Sequence, residues 1–113
     1  MNKVSLLENL EYGEQKPSIK LLLESETSKE IRIAFREGQI MKEHKTGFPI
    51  TIEIFEGAID FGVQGTAHSL AKGDIVSLEA HVPHDLTAKA DSIVRLTLSK
   101  RDTVSRVKSV LEQ

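Results

Sequence analysis

The chain is built from short apolar runs that end at glycine or polar residues, and none of them keeps a helical period over a dozen residues. Apolar and polar residues alternate most clearly at positions 50–55 and 31–35, where every second side chain is aliphatic or aromatic. A period of two places these apolar side chains on one face of a strand. The pattern therefore predicts β-strands with one apolar and one more polar face.

Glycines separate neighbouring strand candidates at Gly57, Gly65 and Gly73. Each stands where the chain must reverse direction, and glycine accepts the positive φ that tight turns use. Strands are predicted at residues 19–24, 30–36, 50–56, 58–63, 66–70, 74–78, 85–89 and 92–99. Many short strands with closely spaced turns favour an antiparallel sandwich or closed barrel over a parallel sheet with crossover helices. The expected fold class is all-β.

Both ends of the chain depart from the strand pattern. Residues 1–17 include a short, mildly helical stretch and are expected to form an arm that packs on a barrel at 18–99. After the last strand, an amphipathic helix is predicted over 102–112, with Asp102 as its N-cap. Its aliphatic residues recur at intervals of three and four: Val104, Val107, Val110 and Leu111. We therefore expect a single domain over 1–113.

Composition restricts the classes of partner. The chain has 15 Lys and Arg against 17 Asp and Glu, and this net charge of −2 gives no attraction for nucleic acid or anionic lipid. Without cysteine, disulfides, thiolate metal sites and cysteine nucleophiles are excluded. No apolar stretch reaches the roughly 20 residues that cross a bilayer. We expect a cytoplasmic protein with no nucleic-acid or membrane partner, and pairing of this small chain into a homodimer.

Two segments carry glycine and histidine at suggestive spacings. The first begins at Gly38, reaches His44 after five residues and ends at Gly57. The second begins at Gly73 and ends at the Val-Pro-His sequence that contains His84. Their spacing resembles the two motifs of the cupin superfamily, in which glycine precedes His-x-His, Glu and Gly in the first motif, and Pro-x-Gly and His in the second.

The resemblance covers about residues 30–99. It implies a small antiparallel β-barrel of two facing sheets, the double-stranded β-helix or jelly-roll arrangement, often as a homodimer. In this family the two motifs line a pocket at one open end of the barrel. We expect the pocket to be formed by residues of both segments: His44, Thr46, Phe48, Ile50, Ile52 and His84.

The resemblance also implies where metal ligands would stand. The first and last histidines of the family's ligand set fall on His44 and His84. The second histidine falls on Thr46 and the glutamate on Ile50, so the metal-binding motif is degenerate. His81 falls on the second motif's glycine, three residues before His84, and either supplies a third ligand or simply stands on the rim.

A first-row catalytic metal in such a site needs at least three protein ligands. Two imidazoles hold an ion weakly, and Ile50 removes the carboxylate charge that would balance it. We therefore expect no tightly bound metal. Weak binding of a divalent transition metal at His44 and His84 is the alternative that the sequence does not exclude.

Three functions are compatible with this sequence. The first is binding or sensing of a small organic ligand through His44, Thr46 and His84. The second is a metal-dependent enzyme, a dioxygenase or a sugar or keto-acid isomerase, that uses the two histidines. The third is an interaction module with a vestigial pocket, so catalytic residues are not assigned. His68 matches no motif position and is expected to face water.

Overall fold

The computed structural model describes residues 1–100, which form nine β-strands in two antiparallel sheets. The strands are β1 (Ser18–Glu24), β2 (Ser28–Phe35), β3 (Ile40–His44), β4 (Ile50–Glu56), β5 (Ala58–Val63), β6 (Thr66–Ala71), β7 (Ile75–Leu78), β8 (His84–Ala88) and β9 (Ser92–Ser99). One sheet has the order β1-β2-β9-β4-β7 and the other β3-β8-β5-β6. The all-β expectation is confirmed.

The eight predicted strands are present, and their ends differ from prediction by at most two residues. The alternation missed β3, because its sequence Ile-Met-Lys-Glu-His contains two adjacent apolar residues followed by charged ones. Residues 6–9 form a turn rather than a helix, since the Glu8 amide bonds the Ser5 carbonyl 3.2 Å away. The helix predicted over 102–112 lies outside the described residues.

Four strand pairs are nested within one another along the chain. The innermost is the β5–β6 hairpin, whose turn residues Gln64 and Gly65 have φ angles of 52° and 79°. Around it lie the pairs β4–β7, β3–β8 and β2–β9. The pairs β4–β9 and β5–β8 join this double-stranded ribbon into the two sheets.

The inner faces of the two sheets form one hydrophobic core. Side chains from β2, β4, β5, β8 and β9 contribute to it, as the alternation predicts. Its buried members are Ile33, Phe35, Ile50, Ile52, Ile54, Ile59, Phe61, Leu86, Ala88 and Val94. Full burial of each large aliphatic or aromatic side chain stabilises the fold by about 1.5–3 kcal/mol.

The N-terminal residues cover part of the outer face of the five-stranded sheet. Arg32 points outward from β2, yet only 3% of its surface is exposed. Its guanidinium donates to the carbonyl oxygens of Leu6, Glu8 and Asn9 at 3.0, 2.8 and 3.2 Å. A buried charge thus fixes the arm through backbone acceptors. No helix long and apolar enough to cross a membrane occurs within residues 1–100.

Candidate functional site

The two motif histidines meet where β3 pairs with β8. His44 lies directly opposite His84 in the register, so both side chains project from the same face of the sheet. Their ring centroids are 4.4 Å apart, with the ring planes inclined by 58°. His84 is 2% exposed, whereas His44 is exposed to solvent. The pair therefore consists of one buried and one accessible imidazole.

Backbone carbonyl groups fix the tautomer of both rings. Nδ1 of His44 lies 2.7 Å from the Lys42 carbonyl oxygen, and Nδ1 of His84 lies 2.9 Å from that of Val82. A carbonyl oxygen only accepts hydrogen bonds, so Nδ1 carries the hydrogen in each ring. In the neutral rings Nε2 is then left with a lone pair, which can accept a hydrogen bond or bind a cation.

Apolar residues of β5 adjoin this histidine pair. Val63 lies opposite His84 in the β5–β8 register, on the same face of the sheet. The Phe61 ring centroid is 5.7 Å from that of His84, with the planes inclined by 31°. The buried imidazole is therefore packed against an aromatic ring and an aliphatic side chain.

Thr46 and His81 join the two loops beside the histidine pair. The His81 amide donates to the Thr46 carbonyl oxygen over 2.8 Å, and the Thr46 hydroxyl donates to the Phe48 carbonyl oxygen over 2.7 Å. His81 has a φ of 67°, a left-handed conformation that glycine adopts more readily. This agrees with its alignment to the second motif's glycine, and its side chain is exposed.

The remaining predicted pocket residues belong largely to the core. Ile50 and Ile52 are each 3% exposed and lie opposite Leu78 and Val76 in the β4–β7 register. Phe48 is half-buried in the loop before β4. The structure thus brings His44 and His84 together, whereas Ile50 and Ile52 belong to the hydrophobic core.

A cavity of about 230 Å³ opens between the edges of the two sheets. Four of its lining residues come from the β5–β6 hairpin and two from β7: Phe61, Val63, His68, Leu70, Val76 and Leu78. Phe61 and Val63 are shared with the surroundings of the histidine pair, so the two features are adjacent. None of these six residues is among those that the sequence predicts to line the pocket. Alternation in residues 59–63 does mark Phe61 and Val63 as inward-facing.

His68 is exposed to solvent, as predicted. It also lies opposite Phe61 in the β5–β6 register and therefore on the inner face. β6 is the edge strand of the four-stranded sheet, so an inward-facing residue there still contacts water at the mouth of the cavity. The polar sequence Thr-Ala-His-Ser of β6 gives no alternation that could have indicated this.

The donor set provides a test of whether a metal fits. Among residues 1–100, no three or more histidine or carboxylate side chains lie close enough together to hold an ion. The Thr46 hydroxyl donates to the backbone, and Ile50 provides no donor atom. The side chains that converge are two imidazoles, fewer than the three protein ligands typical of catalytic metal sites.

Comparisons with known proteins establish the fold. No protein-family model matches the chain, and no curated protein sequence matches it significantly. A solved RmlC-like cupin protein from Desulfovibrio desulfuricans is 24% identical, with a TM-score of 0.81 over 88% of this chain and 96% of that chain. A conserved protein with a double-stranded β-helix domain from Klebsiella pneumoniae is 16% identical, with a TM-score of 0.79 over 91% and 92%. KdgF from Halomonas sp. is 17% identical, with a TM-score of 0.75 over 93% and 99%.

Proposed function

We propose that this chain, which has the fold of a small single-domain cupin, binds a small and mostly apolar organic molecule at the open end of its barrel. The cavity beside the histidine pair carries this proposal. Five of its six lining side chains are apolar, and the sixth is His68. Concave, mostly apolar pockets with a few polar groups are the usual form of small-molecule sites.

The size of the cavity limits the ligand. A buried apolar cavity of about 150 Å³ accommodates benzene. The cavity here, about 230 Å³, is larger than that but smaller than most pockets for drug-sized molecules. A single ring with one short substituent is therefore the size of ligand that we propose.

We further propose that the site works without a tightly held metal, because two imidazoles are its converging donors. The alternative, a metal-dependent enzyme, has one observation in its favour. Both Nδ1 atoms form hydrogen bonds with backbone carbonyl groups, an arrangement that also orients histidines that bind metals. The two proposals therefore need separate experiments.

Ligand binding is tested with toluene as a one-ring probe, followed by NMR of backbone amides. We expect shifts at the cavity strands β5, β6 and β7. A Val76→Phe substitution places a large ring in the cavity and should abolish these shifts. The matched control is Ile75→Phe. Ile75 directly precedes Val76 in β7, is 61% exposed and faces away from the cavity. Binding that survives Val76→Phe unchanged would contradict the proposed position.

The metal question is tested by elemental analysis of the purified protein after dialysis. We expect less than stoichiometric iron, manganese, nickel or zinc. A stoichiometric metal that disappears in the His44→Ala, His84→Ala double variant would establish the metal-dependent alternative. His68→Ala is the control, since it removes a neighbouring imidazole outside the motif pair, and circular dichroism verifies that each variant is folded.

A homodimer is proposed from the exposed inner face of β1. Ile19 and Leu21 lie opposite Ile33 and Ile31, so they point toward the core side of the sheet. They nevertheless remain 58% and 47% exposed. Apolar surface of this kind is a reason for association with a second copy. Analytical ultracentrifugation should show a dimer that an Ile19→Lys substitution weakens, and a wild-type monomer would contradict this.

A further inference from the structure

We infer that the ligand's polar head group is a hydrogen-bond donor, an alcohol or an amine, rather than a carboxylate or phosphate. This inference rests on the proposed function and adds the chemical class of the ligand. The polar side chains beside the histidine pair already donate their hydrogens to backbone carbonyl groups, and what remains for a ligand is their acceptor atoms.

Both imidazoles donate a hydrogen bond to a backbone carbonyl group. Nδ1 of His44 and Nδ1 of His84 each donate to a carbonyl oxygen two residues earlier in the chain. Above the pH range in which imidazole ionises, each ring carries only this one N–H. Each Nε2 therefore offers a lone pair and no hydrogen to a ligand.

The third polar group that the first motif brings to this end behaves in the same way. The hydroxyl of Thr46 donates its hydrogen to the Phe48 carbonyl oxygen over 2.7 Å. Its remaining capacity is to accept. All three side chains beside the cavity thus offer acceptors, so a ligand head group that donates can form a hydrogen bond with them and one that only accepts cannot.

His68 lines the cavity but is not one of these three acceptors. It lies opposite Phe61 rather than Val63, one strand further from His84 across the sheet. It has no hydrogen-bond partner among residues 1–100 that would fix its tautomer. It can donate or accept at the far rim of the cavity, so it does not belong to the acceptor set.

Four one-ring probes that differ in the head group test the inference at a pH where imidazole is neutral: toluene, benzyl alcohol, benzylamine and benzoate. A net hydrogen bond is worth about 0.5–1.5 kcal/mol, so the alcohol should bind roughly 2- to 12-fold more tightly than toluene. Benzylamine should also bind more tightly than toluene, and benzoate should bind most weakly.

Variants then assign the preference to the histidine pair. His84→Phe keeps an aromatic ring beside Phe61 but removes Nε2, and should bring the alcohol-to-toluene ratio close to one while toluene still binds. His44→Phe changes an exposed ring and provides a second test if the His84 variant does not fold. Ile75→Phe, on the face of β7 that points away from the cavity, should leave the ratio unchanged.

The outcomes separate the two levels of the proposal. If toluene and the alcohol bind equally, or if benzoate binds most tightly, the inference about the head group is overturned while ligand binding stands. If the alcohol preference persists in both His44→Phe and His84→Phe, the acceptors are other groups, and the inference is again overturned. If none of the four probes binds, the proposed function itself fails.

Discussion

Replacement of Arg32 by methionine is expected to destabilise the protein by about 2–3 kcal/mol. Methionine has a similar reach but no charge and no donors, so the substitution removes the three hydrogen bonds to the N-terminal arm. Because only 3% of Arg32 is exposed, solvent does not compete strongly for the guanidinium in the native protein.

The magnitude follows from opposing terms. Hydrogen bonds to a charged group contribute about 1.5–3 kcal/mol each, so three of them set an upper limit of about 9 kcal/mol. Within residues 1–100 Arg32 has no carboxylate partner, and burial of an unpaired guanidinium costs several kcal/mol, a cost that methionine avoids. The carbonyl groups of the arm can also regain water if residues 6–9 move away from the sheet. The net loss should therefore fall well below the upper limit.

Urea and thermal denaturation measure this loss. A domain of about 100 residues loses roughly 4–8 °C in Tm per kcal/mol, so a fall of about 10–20 °C is expected. Hydrogen exchange should also accelerate at the amides of residues 5–10. Lys20→Met is the matched control, because Lys20 lies opposite Arg32 on the same outer face but is exposed. If Arg32→Met destabilises no more than this control, the anchoring argument is wrong.

Two further predictions concern the turns and the pH. Gly57→Ala should cost more than 3 kcal/mol, because its φ is 93° and an added Cβ would lie 2.7 Å from the Ser92 Cα. Gly65→Ala, at φ 79° with open space around it, should cost only about 1 kcal/mol, and equal losses in urea denaturation would refute the steric explanation. The pKa of Asp91 is lowered, chiefly by the hydrogen bond from the Glu37 amide. Its stabilising contribution is therefore present above the ordinary aspartate pKa of about 3.9 and is lost as pH falls below it. Asp91→Asn should flatten the dependence of Tm on pH there, and an unchanged acid slope would contradict this.

The fold was predictable because two simple patterns agree. Alternation in residues 50–55 and 31–35 identified central strands that are buried on one face. The glycine at position 57 marked a turn whose close approach to Ser92 leaves no room for a side chain. β3 could not be predicted in this way, because an edge strand places few of its residues in the core and alternation is consequently weak.

The candidate site was predictable only in part. His44 is the last residue of β3 and His84 the first of β8, and because these strands pair directly, the structure brings together the two histidines that the motif spacing singled out. The cavity depends instead on how wide the gap between β6 and β7 is, which is a property of the packed sheets. Local sequence carries no information about that distance, and the polar β6 therefore gave no indication that His68 and Leu70 line a cavity.

The nested pairing of the strands has a consequence for the order of folding. Among the four nested pairs, only the β5–β6 hairpin closes a short loop, while the β2–β9 pair joins residues as far apart as Ser28 and Ser99. Each inner pair, once formed, shortens the chain that the next pair must close, which lowers its entropic cost. Folding of the nested pairs is thus expected to begin at β5–β6 and to finish at β2–β9, at the slow rates typical of proteins with distant contacts. The cavity strands β5, β6 and β7 would then assemble before the arm is anchored at Arg32.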